Sequence, residues 1–366
     1  MITKTAIYYY SCELKQHKHP LYISIYMNTQ QNNIVVGLQY GDEGKGKVVK
    51  HLLQEHAYTF SVKANGGPNA GHTIYKNNKK IVLHQLPIGA VDNNIKCLIG
   101  PNCVIDMLKL EEEIKMVEEL VPFTEEERIK NRLYLSYNAH IIKQEHIYED
   151  VKTDTIGSTK CGIRPTYRDK YDRKGTRVED LDLKDWNVVD SYKILNPQQD
   201  TPQESILFEI SQGFNLDIDF GNYPYVTSSQ CHVGTVVSCG FPITKINKVC
   251  GVAKIYTTYV GNMRFQPPDE QLKRLQVLGN EYGATTSRMR QCNWMNLDEL
   301  NKAIYVNGVT DLVINKCDVI INLNYYKLYH NGKDIVFNHW VDMKTYIINN
   351  IPKSIYIIFS YNKDVI

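Results

Sequence analysis

The sequence lacks the features that mark membrane, disulfide-rich and strongly charged proteins. No apolar run approaches the roughly 18 residues of a membrane-spanning helix. Forty-two basic and 40 acidic residues give a net charge of +2, so no bulk attraction to nucleic acid or to an anionic membrane is expected. The nine cysteines are scattered and never spaced as C-x-x-C, which argues against a zinc knuckle or disulfide framework and favours a reducing, cytoplasmic compartment.

The length and composition are those of an ordinary globular protein with a sizeable core. The chain has 366 residues, of which 43% are hydrophobic and 22% charged. Residues 1–32 precede the first strong strand signal and include Met27, so we expect them to form a poorly ordered amino-terminal extension. We expect residues 33–366 to form a single domain, with excursions at the charge-rich stretches near 166–185 and 196–204.

Short apolar runs and amphipathic stretches follow one another after residue 33. The runs IVVGL, KCLIGPNCVI, RLYLS and DLVI are typical of buried strands, whereas MLKLEEEIKMVEELV and DEQLKRLQVLG have helical periodicity. This pattern predicts an α/β fold. The polar, basic stretch TDTIGSTKCGIRPTYRDKYDRKGTR predicts a loop with one helix, and loops of this length are uncommon unless they are functional.

Four glycines separate a predicted strand from a predicted helix in VVGLQYGDEGKGKVVKHLL, residues 35–53. Such glycines let backbone N–H groups converge on an anion, with the positive end of the helix behind them. From Gly41 the residues fit the phosphate-binding pattern G-x-x-x-x-G-K, but Val48 stands where that pattern has Ser or Thr. Asp42 could replace the missing Mg²⁺ ligand, since Mg²⁺ prefers oxygen ligands. The alternative is a glycine-rich turn in which Asp42 caps the helix.

A second glycine-rich loop, KANGGPNAGHT at residues 63–73, follows the next predicted strand. Loops after successive strands lie at the same edge of an open α/β sheet, where ligands bind. Asp42 and His72 are therefore expected to face one site, as base and acid. The alternative for His72 is a solvated turn residue.

Seven segments, two of them in the loops described above, point together to one family. They are GDEGKGK, NAGHT, IGSTKCGIRP with DKYDR, QGFNLDIDFGNYPYVTSS, TTYVG, GNEYGATTSRMR and NKCD. In order and approximate spacing they resemble those of the adenylosuccinate synthetases, enzymes that join aspartate to IMP using GTP. The resemblance covers about residues 33–320. It implies an α/β fold with a mostly parallel central sheet and flanking helices, related to the P-loop proteins.

The resemblance implies a ligase of purine nucleotide biosynthesis that works through a 6-phosphoryl-IMP intermediate. Asp42 would remove the N1 proton of IMP, and His72 would assist phosphate transfer from GTP to the 6-oxygen. Lys45 would stabilise the charge that develops on the transferring phosphate. Mg²⁺ is the implied cofactor and GTP the co-substrate, with Asp42 and the Gly71 carbonyl as the metal ligands.

The resemblance also implies three sets of binding residues and a homodimer. Those for GTP are Gly41, Glu43, Gly44, Gly46, Lys47, Thr73, Lys316, Asp318 and Ser360. Those for IMP are Asp42, Asn69, Thr159, Arg173, Gln212, Thr227 and Val260. Those for aspartate are Thr285, Thr286, Arg288 and Arg290. Asp318 would recognise the guanine base, and Arg173 would reach the active site of the neighbouring subunit.

The chain departs from the family pattern at three places. Cys161 and Arg164, within residues 160–164, stand where relatives have an arginine and a glycine. Tyr259 replaces an arginine, and residues 259–266 differ from the usual V-G-x-G-P-F-P-T-E loop. The guanine-binding segment near the carboxyl terminus is represented only by FSYNK, in which Ser360 is the one match. These departures concern aspartate affinity and the choice between GTP and ATP, and they fit a divergent member of the family, cellular or viral.

Three alternatives to an IMP-specific enzyme stay open. Phage relatives that ligate aspartate to dGMP, in the 2-aminoadenine pathway, typically have G-S-x-G-K-G, whereas this chain keeps Asp42 and Glu43, which favours IMP. A catalytically inactive, nucleotide-binding descendant would explain the altered loops, but the expected catalytic residues are intact. A plain P-loop NTPase would hydrolyse GTP without IMP, and it does not explain YPYVTSS.

Overall fold

The computed structural model describes residues 30–69, 71–76, 79–153, 156–197, 204–282, 288–362 and 366. The strands of this part of the chain are β1 (Asn32–Gly37), β2 (Phe60–Gly66), β3 (His72–Lys76), β4 (Lys79–Leu83), β5 (Lys96–Ile105), β6 (Leu133–Ser136), β7 (His140–Ile141), β8 (Asn187–Val189), β9 (Ile206–Glu209), β10 (Lys248–Lys254), β11 (Tyr256–Tyr259), β12 (Gln291–Asn296), β13 (Asp311–Asn315), β14 (Tyr326–His330), β15 (Lys333–Phe337) and β16 (Tyr356–Phe359). The α-helices are α1 (Lys45–Glu55), α2 (Met107–Leu120), α3 (Ile129–Arg132), α4 (Gln144–Lys152), α5 (Ile163–Tyr171), α6 (Ser191–Leu195), α7 (Gly234–Ser238), α8 (Glu270–Leu278), α9 (Leu297–Asn307), α10 (Cys317–Leu323) and α11 (Trp340–Asn349).

A parallel sheet forms the centre of the molecule and confirms the predicted fold class. Its strand order is β16-β13-β10-β1-β9-β2-β5-β6-β8, with β7 beside β5. Every pairing in this sheet is parallel. Two smaller units lie outside it: the sheet β11-β12-β14-β15 and the hairpin β3-β4. The apolar residues Ile81, Val82 and Leu83 belong to β4 and therefore to the hairpin, outside the central sheet.

The central strands are buried on both faces, as parallel sheets require. In β1, Ile34 and Val36 belong to one hydrophobic cluster, whereas Val35 between them belongs to the cluster on the other face. The side-chain period of two in a strand places alternate residues on opposite faces. The uninterrupted apolar run of this strand thus serves two cores at once.

One edge of the sheet gathers the segments that carry the predicted site. Strands β16, β13, β10, β1, β9 and β2 are consecutive neighbours and run in the same direction, so their carboxyl ends lie together. The loops that leave these ends contain the glycine-rich loop after β1, the NAGHT loop after β2 and the residues Ser211–Gly213 after β9. The motifs are far apart in sequence but share this edge, as ligand sites of open α/β sheets do.

The polar, basic stretch in the middle of the chain contains the single predicted helix, α5. Gly162 precedes α5 with a φ of 74°, a left-handed conformation that glycine adopts without strain. After α5 the chain turns back against β7, where Ile141 N–H donates to Thr176 O. Arg173 lies in this turn with a φ of 61°. The turn packs tightly, because a Cβ at Gly175 would lie 2.6 Å from the His140 ring.

Two further observations bear on the class of protein. In the described part of the chain, no helix has both the length and the apolar character needed to cross a membrane. The eight cysteines found there are all free thiols.

His140 makes the stability of this region depend on pH. Burial, together with the positive charges of Lys170 and Arg177, lowers the pKa of His140 to about 4, against an opposing effect of Asp180. Because the pKa is depressed in the folded state, the unfolded chain takes up the proton first as the pH falls. We expect the free energy of unfolding to decrease as the pH falls from about 6.5 towards 4.

Urea unfolding at several pH values between 7 and 4.5 tests this expectation, with His140→Gln as the matched variant. The variant should lose less stability over this range than the native chain. Equal slopes for the two proteins would contradict it.

Candidate active site

A buried carboxylate shapes the glycine-rich loop from below. Glu43 has no exposed surface, and its Oε1 accepts the N–H groups of Gln39 and Gly41 at 3.1 and 2.9 Å. Its Oε2 accepts a 2.7 Å hydrogen bond from Lys45 Nζ, which also donates to the backbone oxygen of Gln212. Glu43 was expected among the GTP-binding residues, but its side chain lies beneath the loop and does not line the pocket above it.

Two amide side chains tie the same loop to neighbouring strands. Asn315 at the end of β13 donates from Nδ2 to Glu43 O at 2.8 Å. Gln39 exchanges two hydrogen bonds with the backbone of Lys254 at the end of β10, donating to its oxygen at 3.0 Å and accepting from its nitrogen at 2.9 Å. The loop backbone is therefore fixed relative to both strands.

Asp42 is held at the front of the loop by an ion pair with a distant residue. It adopts a left-handed conformation, with φ at 59°, and its Oδ2 lies 2.7 Å from Arg290 Nε. Arg290 Nη1 donates at 2.7 Å to Oε2 of Glu281, a carboxylate with no exposed surface. Burial alone would raise the pKa of Glu281, but Lys254 and Arg290 outweigh it and bring that pKa to about 2.

His72 begins β3, with the carboxylate of Glu209 behind it. The atoms His72 Nδ1 and Glu209 Oε2 are 4.0 Å apart, and Glu209 Oε1 accepts hydrogen bonds from Ser61 Oγ and Ile88 N. Burial lowers the pKa of His72 well below its ordinary value, and the positive charges of Lys63 and Lys45 add to this. Burial also raises the pKa of Glu209 to about 7. The lowered pKa favours the neutral imidazole, which can donate from one ring nitrogen and accept at the other.

These groups surround one pocket of about 660 Å³. The predicted residues that line it are Gly41, Asp42, Gly44, Lys45, Gly46, Lys47, Asn69, Gly71, His72, Thr73, Thr159, Gln212, Thr227, Val260, Arg288 and Arg290. Within this set, Gln212 Nε2 donates to Asn69 Oδ1 at 3.0 Å. Gln212 is also in a left-handed conformation, with φ at 60°, and such strain in a non-glycine residue is concentrated at functional sites.

Several predicted residues lie elsewhere. Arg173 is exposed in the turn after α5 and does not line the pocket. Lys316 follows β13, Asp318 lies in the first turn of α10 and Ser360 follows β16, all outside the lining. They adjoin it through Lys47, whose Nζ donates to Ser360 Oγ at 2.7 Å, while Ser360 O accepts from the Cys317 backbone. Thr285 and Thr286 lie outside the described residues.

An aromatic cluster lies at one of the places where the sequence departs from the family pattern. Tyr259 packs against Tyr40 and Phe265, with ring centroids 6.1 and 5.6 Å away, and it lines the pocket together with Tyr40. The position of a family arginine thus belongs to an apolar wall. At the other departure, Arg164 lines the pocket and lies 3.7 Å from Asp150 Oδ1.

Sequence reasoning missed the residues that support the site from behind. Glu281, Lys254, Gln39 and Glu209 have buried side chains and were not assigned a role. Glu281 falls within the string GNEYGATTSRMR, which identified the family, but nothing in the local pattern shows that its carboxylate turns towards Arg290. A glutamate two residues before the glycine- and threonine-containing string GATT is the one signal that could have found it.

The oxygen ligands available for a metal ion are few. In the described ranges no group of three or more His, Cys, Asp or Glu side chains is arranged to hold a metal ion. Asp42 and the backbone of Gly71 line the same pocket. A hard cation held here would take most of its ligands from water or from substrate phosphates, which is the usual coordination of Mg²⁺.

Comparison with known proteins identifies relatives along most of the chain. The family model for adenylosuccinate synthetase matches residues 34–187 and 182–331. The adenylosuccinate synthetase of Chlorobium phaeobacteroides is 38% identical over 342 residues, which cover 80% of this chain and 77% of that protein. The adenylosuccinate synthetase of Aquifex aeolicus is 36% identical over 347 residues, covering 81% of this chain and 78% of that protein.

Two solved structures have a similar fold. The fully ligated adenylosuccinate synthetase of Plasmodium falciparum superposes with a TM-score of 0.80 at 27% identity, covering 91% of this chain and 98% of its own. The succinoaminodeoxyadenylate synthetase of cyanophage S-2L, bound to dGMP and to dATP as energy donor, gives a TM-score of 0.71 at 24% identity. That match covers 91% of this chain and 93% of the phage chain, and it supports the fold alone.

Gly213 is the position at which the glycine-rich loop is most sensitive to added volume. A Cβ there would collide with Gln39 O, Gly41 N and Glu43 Oε1. The first two are backbone atoms, and Glu43 Oε1 is held in place by the N–H groups of Gln39 and Gly41. The backbone of Gly213 is extended, with φ at −146°, so alanine is not excluded by conformation. We expect Gly213→Ala to cost about 1–3 kcal/mol of stability through overpacking.

Gly308→Ala is the matched control, because Gly308 has a φ of 58° but nothing within 4 Å of its would-be Cβ. It should cost about 1–2 kcal/mol through backbone strain alone. Urea unfolding measures both variants, and ligand binding at the loop should suffer only in Gly213→Ala. A Gly213→Ala protein with native stability and native nucleotide affinity would contradict the steric account.

Proposed function

This chain belongs to the adenylosuccinate synthetase family of GTP-dependent ligases, and on that basis we propose that it joins L-aspartate to IMP at the expense of GTP. The observation that carries the proposal is the 2.7 Å contact between Asp42 and Arg290. It places the residue proposed to act on the purine beside a residue proposed to bind aspartate. The two substrates would therefore meet between these side chains, in the pocket that also holds His72.

In the proposed reaction a poor leaving group is first converted into a good one. Asp42 takes the N1 proton of IMP, and the 6-oxygen attacks the γ-phosphorus of GTP, so that GDP leaves. The amine of aspartate then attacks C6, and inorganic phosphate leaves with the former 6-oxygen. His72 is neutral because it is buried, and a neutral imidazole can donate a hydrogen bond to the oxygen atoms of the transferring phosphate.

The glycine-rich loop would hold the phosphates. Helix α1 begins at Lys45 after Gly44, and Gly44, Lys45 and Gly46 line the pocket, so the positive end of the helix dipole lies at the pocket wall. Lys45 is buried against Glu43 and Gln212, which fixes its ammonium near the transferring group. Fixed dipoles and a positioned cation stabilise developing charge without reorganisation.

Magnesium fits this pocket as an ion held jointly by protein and substrate. Asp42 and the Gly71 carbonyl would bind it, and phosphate oxygens would complete its shell. When bound, the ion would neutralise charge on the phosphates. The protein contributes the position of Asp42, which the ion pair with Arg290 keeps at the pocket wall.

The remaining assignments follow the position of each residue. Asn69, Thr159, Gln212, Thr227 and Val260 line the pocket and are proposed to bind IMP. Lys316, Asp318 and Ser360 are proposed to hold the guanine of GTP, beside Lys47. Arg288 and Arg290 are proposed to bind the carboxylates of aspartate, together with Thr285 and Thr286 outside the described residues. The cytoplasm is the proposed compartment, in keeping with free thiols throughout the described part of the chain.

A second acceptor deserves a direct test, because one structural neighbour was solved with dGMP. Purified protein with Mg²⁺ and L-aspartate is assayed with the four pairings of IMP or dGMP and GTP or ATP. With IMP and GTP we expect GDP to be released only when aspartate is present, together with a change in the absorbance of the purine. Faster turnover with dGMP would assign the chain to the phage-type reaction, and nucleotide binding without any turnover would identify an inactive descendant.

Asp42→Asn provides the test of the proposed base. Loss of a positioned base reduces turnover by about 10²–10⁴-fold, and the circular dichroism spectrum should be unchanged. Asp182→Asn is the matched control, since Asp182 is a surface carboxylate that pairs with Lys184. Native turnover in Asp42→Asn would remove the assignment.

A mixing experiment tests the proposed homodimer. Arg173→Ala and Asp42→Asn should each be inactive. A mixed dimer would contain one intact site, formed by Asp42 of one variant and Arg173 of the other, so random mixing should restore about one quarter of native activity. Asp42→Asn mixed with Lys45→Ala is the control, because both changes affect the same subunit's loop. No recovery in a mixture shown to contain mixed dimers would contradict the role of Arg173.

A further inference from the structure

Glu281 is a fully buried carboxylate to which the proposed reaction gives no task. It follows α8 directly, and its two oxygens accept hydrogen bonds from Lys254 Nζ at 3.0 Å each, from Tyr256 OH at 2.6 Å and from Arg290 Nη1 at 2.7 Å. Its backbone oxygen also accepts from the Arg290 N–H at 2.9 Å. Glu281 therefore contacts Arg290 through both main chain and side chain.

These contacts fix the guanidinium of Arg290 from one side. A guanidinium carries five donors in a rigid plane, and two bonds to separate partners determine its orientation. Nη1 is bound by Glu281 and Nε by Asp42, at 2.7 Å in both cases. The long side chain of Arg290 would otherwise lose about 2 kcal/mol of rotamer entropy whenever it binds a ligand.

Glu281 is itself anchored to the glycine-rich loop. Lys254, 2% exposed, pairs with Glu281 through its side chain and with the Gln39 amide through its backbone. Gln39 is three residues before Asp42, so the contacts close a ring: Gln39, Lys254, Glu281, Arg290, Asp42. These contacts hold Arg290 in a fixed position relative to the same loop that would hold the phosphates.

We propose that Glu281 is a positioning residue for the dicarboxylate substrate: its carboxylate, anchored by Lys254, holds the Arg290 guanidinium at the pocket wall in the orientation that binds L-aspartate. This inference rests on the proposed function for the identity of the substrate. It does not make Glu281 a catalytic residue, because its side chain lies behind Arg290 and does not line the pocket.

Glu281→Gln is the main test, because glutamine keeps the size of the side chain and can still accept from Lys254 and Tyr256. It removes the negative charge that attracts Arg290. A charge-assisted hydrogen bond contributes about 1.5–3 kcal/mol, which corresponds to roughly 10–100-fold in binding. We expect KM for L-aspartate to rise about 10-fold or more, with KM for IMP and GTP within about twofold of native.

Tyr256→Phe is the matched control. It removes a hydrogen bond to the same carboxylate but keeps the charge and the contact with Arg290. KM for aspartate should then stay within about threefold of native. A merely structural role would instead raise all three KM values together, or give Tyr256→Phe the same profile as Glu281→Gln, and either result would overturn the proposal.

A second readout does not depend on ligase activity. Phenylglyoxal labels guanidinium groups, and mass spectrometry can compare Arg290 with the exposed Arg288 on one peptide. Labelling of Arg290 relative to Arg288 should rise several-fold in Glu281→Gln and stay native in Tyr256→Phe. An unchanged ratio overturns the positioning role. Absence of aspartate-dependent turnover in the native chain would instead refute the proposed function, and the labelling ratio would still decide the role of Glu281.

Glu281→Asp is the second variant, for use if Glu281→Gln does not yield folded protein. It keeps the charge on a shorter side chain. We expect a smaller rise in KM for aspartate than in Glu281→Gln and an intermediate labelling ratio. If Glu281→Asp kept both the native KM for aspartate and the native labelling ratio of Arg290 to Arg288, the close contact between residue 281 and Arg290 would not be required, which would contradict the proposal.

Discussion

The site depends on the Glu43 carboxylate buried under the glycine-rich loop. A buried carboxylate is costly unless donors surround it, and Glu43 has two backbone amides and the ammonium of Lys45. Meeting that requirement sets the path of the loop from Gln39 to Lys45. The same path leaves Asp42 in a left-handed conformation and brings the Lys45 ammonium against the backbone oxygen of Gln212. In GDEGKGK, Glu43 thus supports the loop from below, whereas Asp42 lines the pocket above it.

A second buried ion pair, between Lys254 and Glu281, lies behind the pocket. Lys254 and Glu281 are buried together, and their pairing compensates two charges that would each be costly alone. Arg290 extends this network to the surface of the pocket, where it meets Asp42. The loop after β1 and the strand β12, which are more than 200 residues apart in the chain, are thereby held in one electrostatic unit.

Much of the fold could be predicted from sequence because its signals are local. Apolar runs predict β1, β5, β6 and β13, and glycine-rich strings mark the loops at the carboxyl ends of β1 and β2. The direction of a side chain within a loop is not set by the local sequence, so the sequence alone could not show that the Glu43 side chain lies beneath the loop. Its burial follows from the left-handed residues on either side, Asp42 and Gly44. The roles of Lys254 and Glu281 could not be predicted either, because they arise only when β10 and the segment after α8 are brought together in space.

The parallel pairing of β1 also determines when the protein can fold. Asn32 pairs with Ile206 of β9 on one side, and Asn33 pairs with Lys248 of β10 on the other. The strand that carries the glycine-rich loop thus stays unpaired on the ribosome until roughly 200 further residues have been made, which takes about 10–40 s at 5–20 residues per second. Such non-local contacts slow folding and leave apolar strands exposed in the meantime. Chain synthesis, rather than loop formation, therefore sets the earliest moment at which this nascent protein can bind a nucleotide.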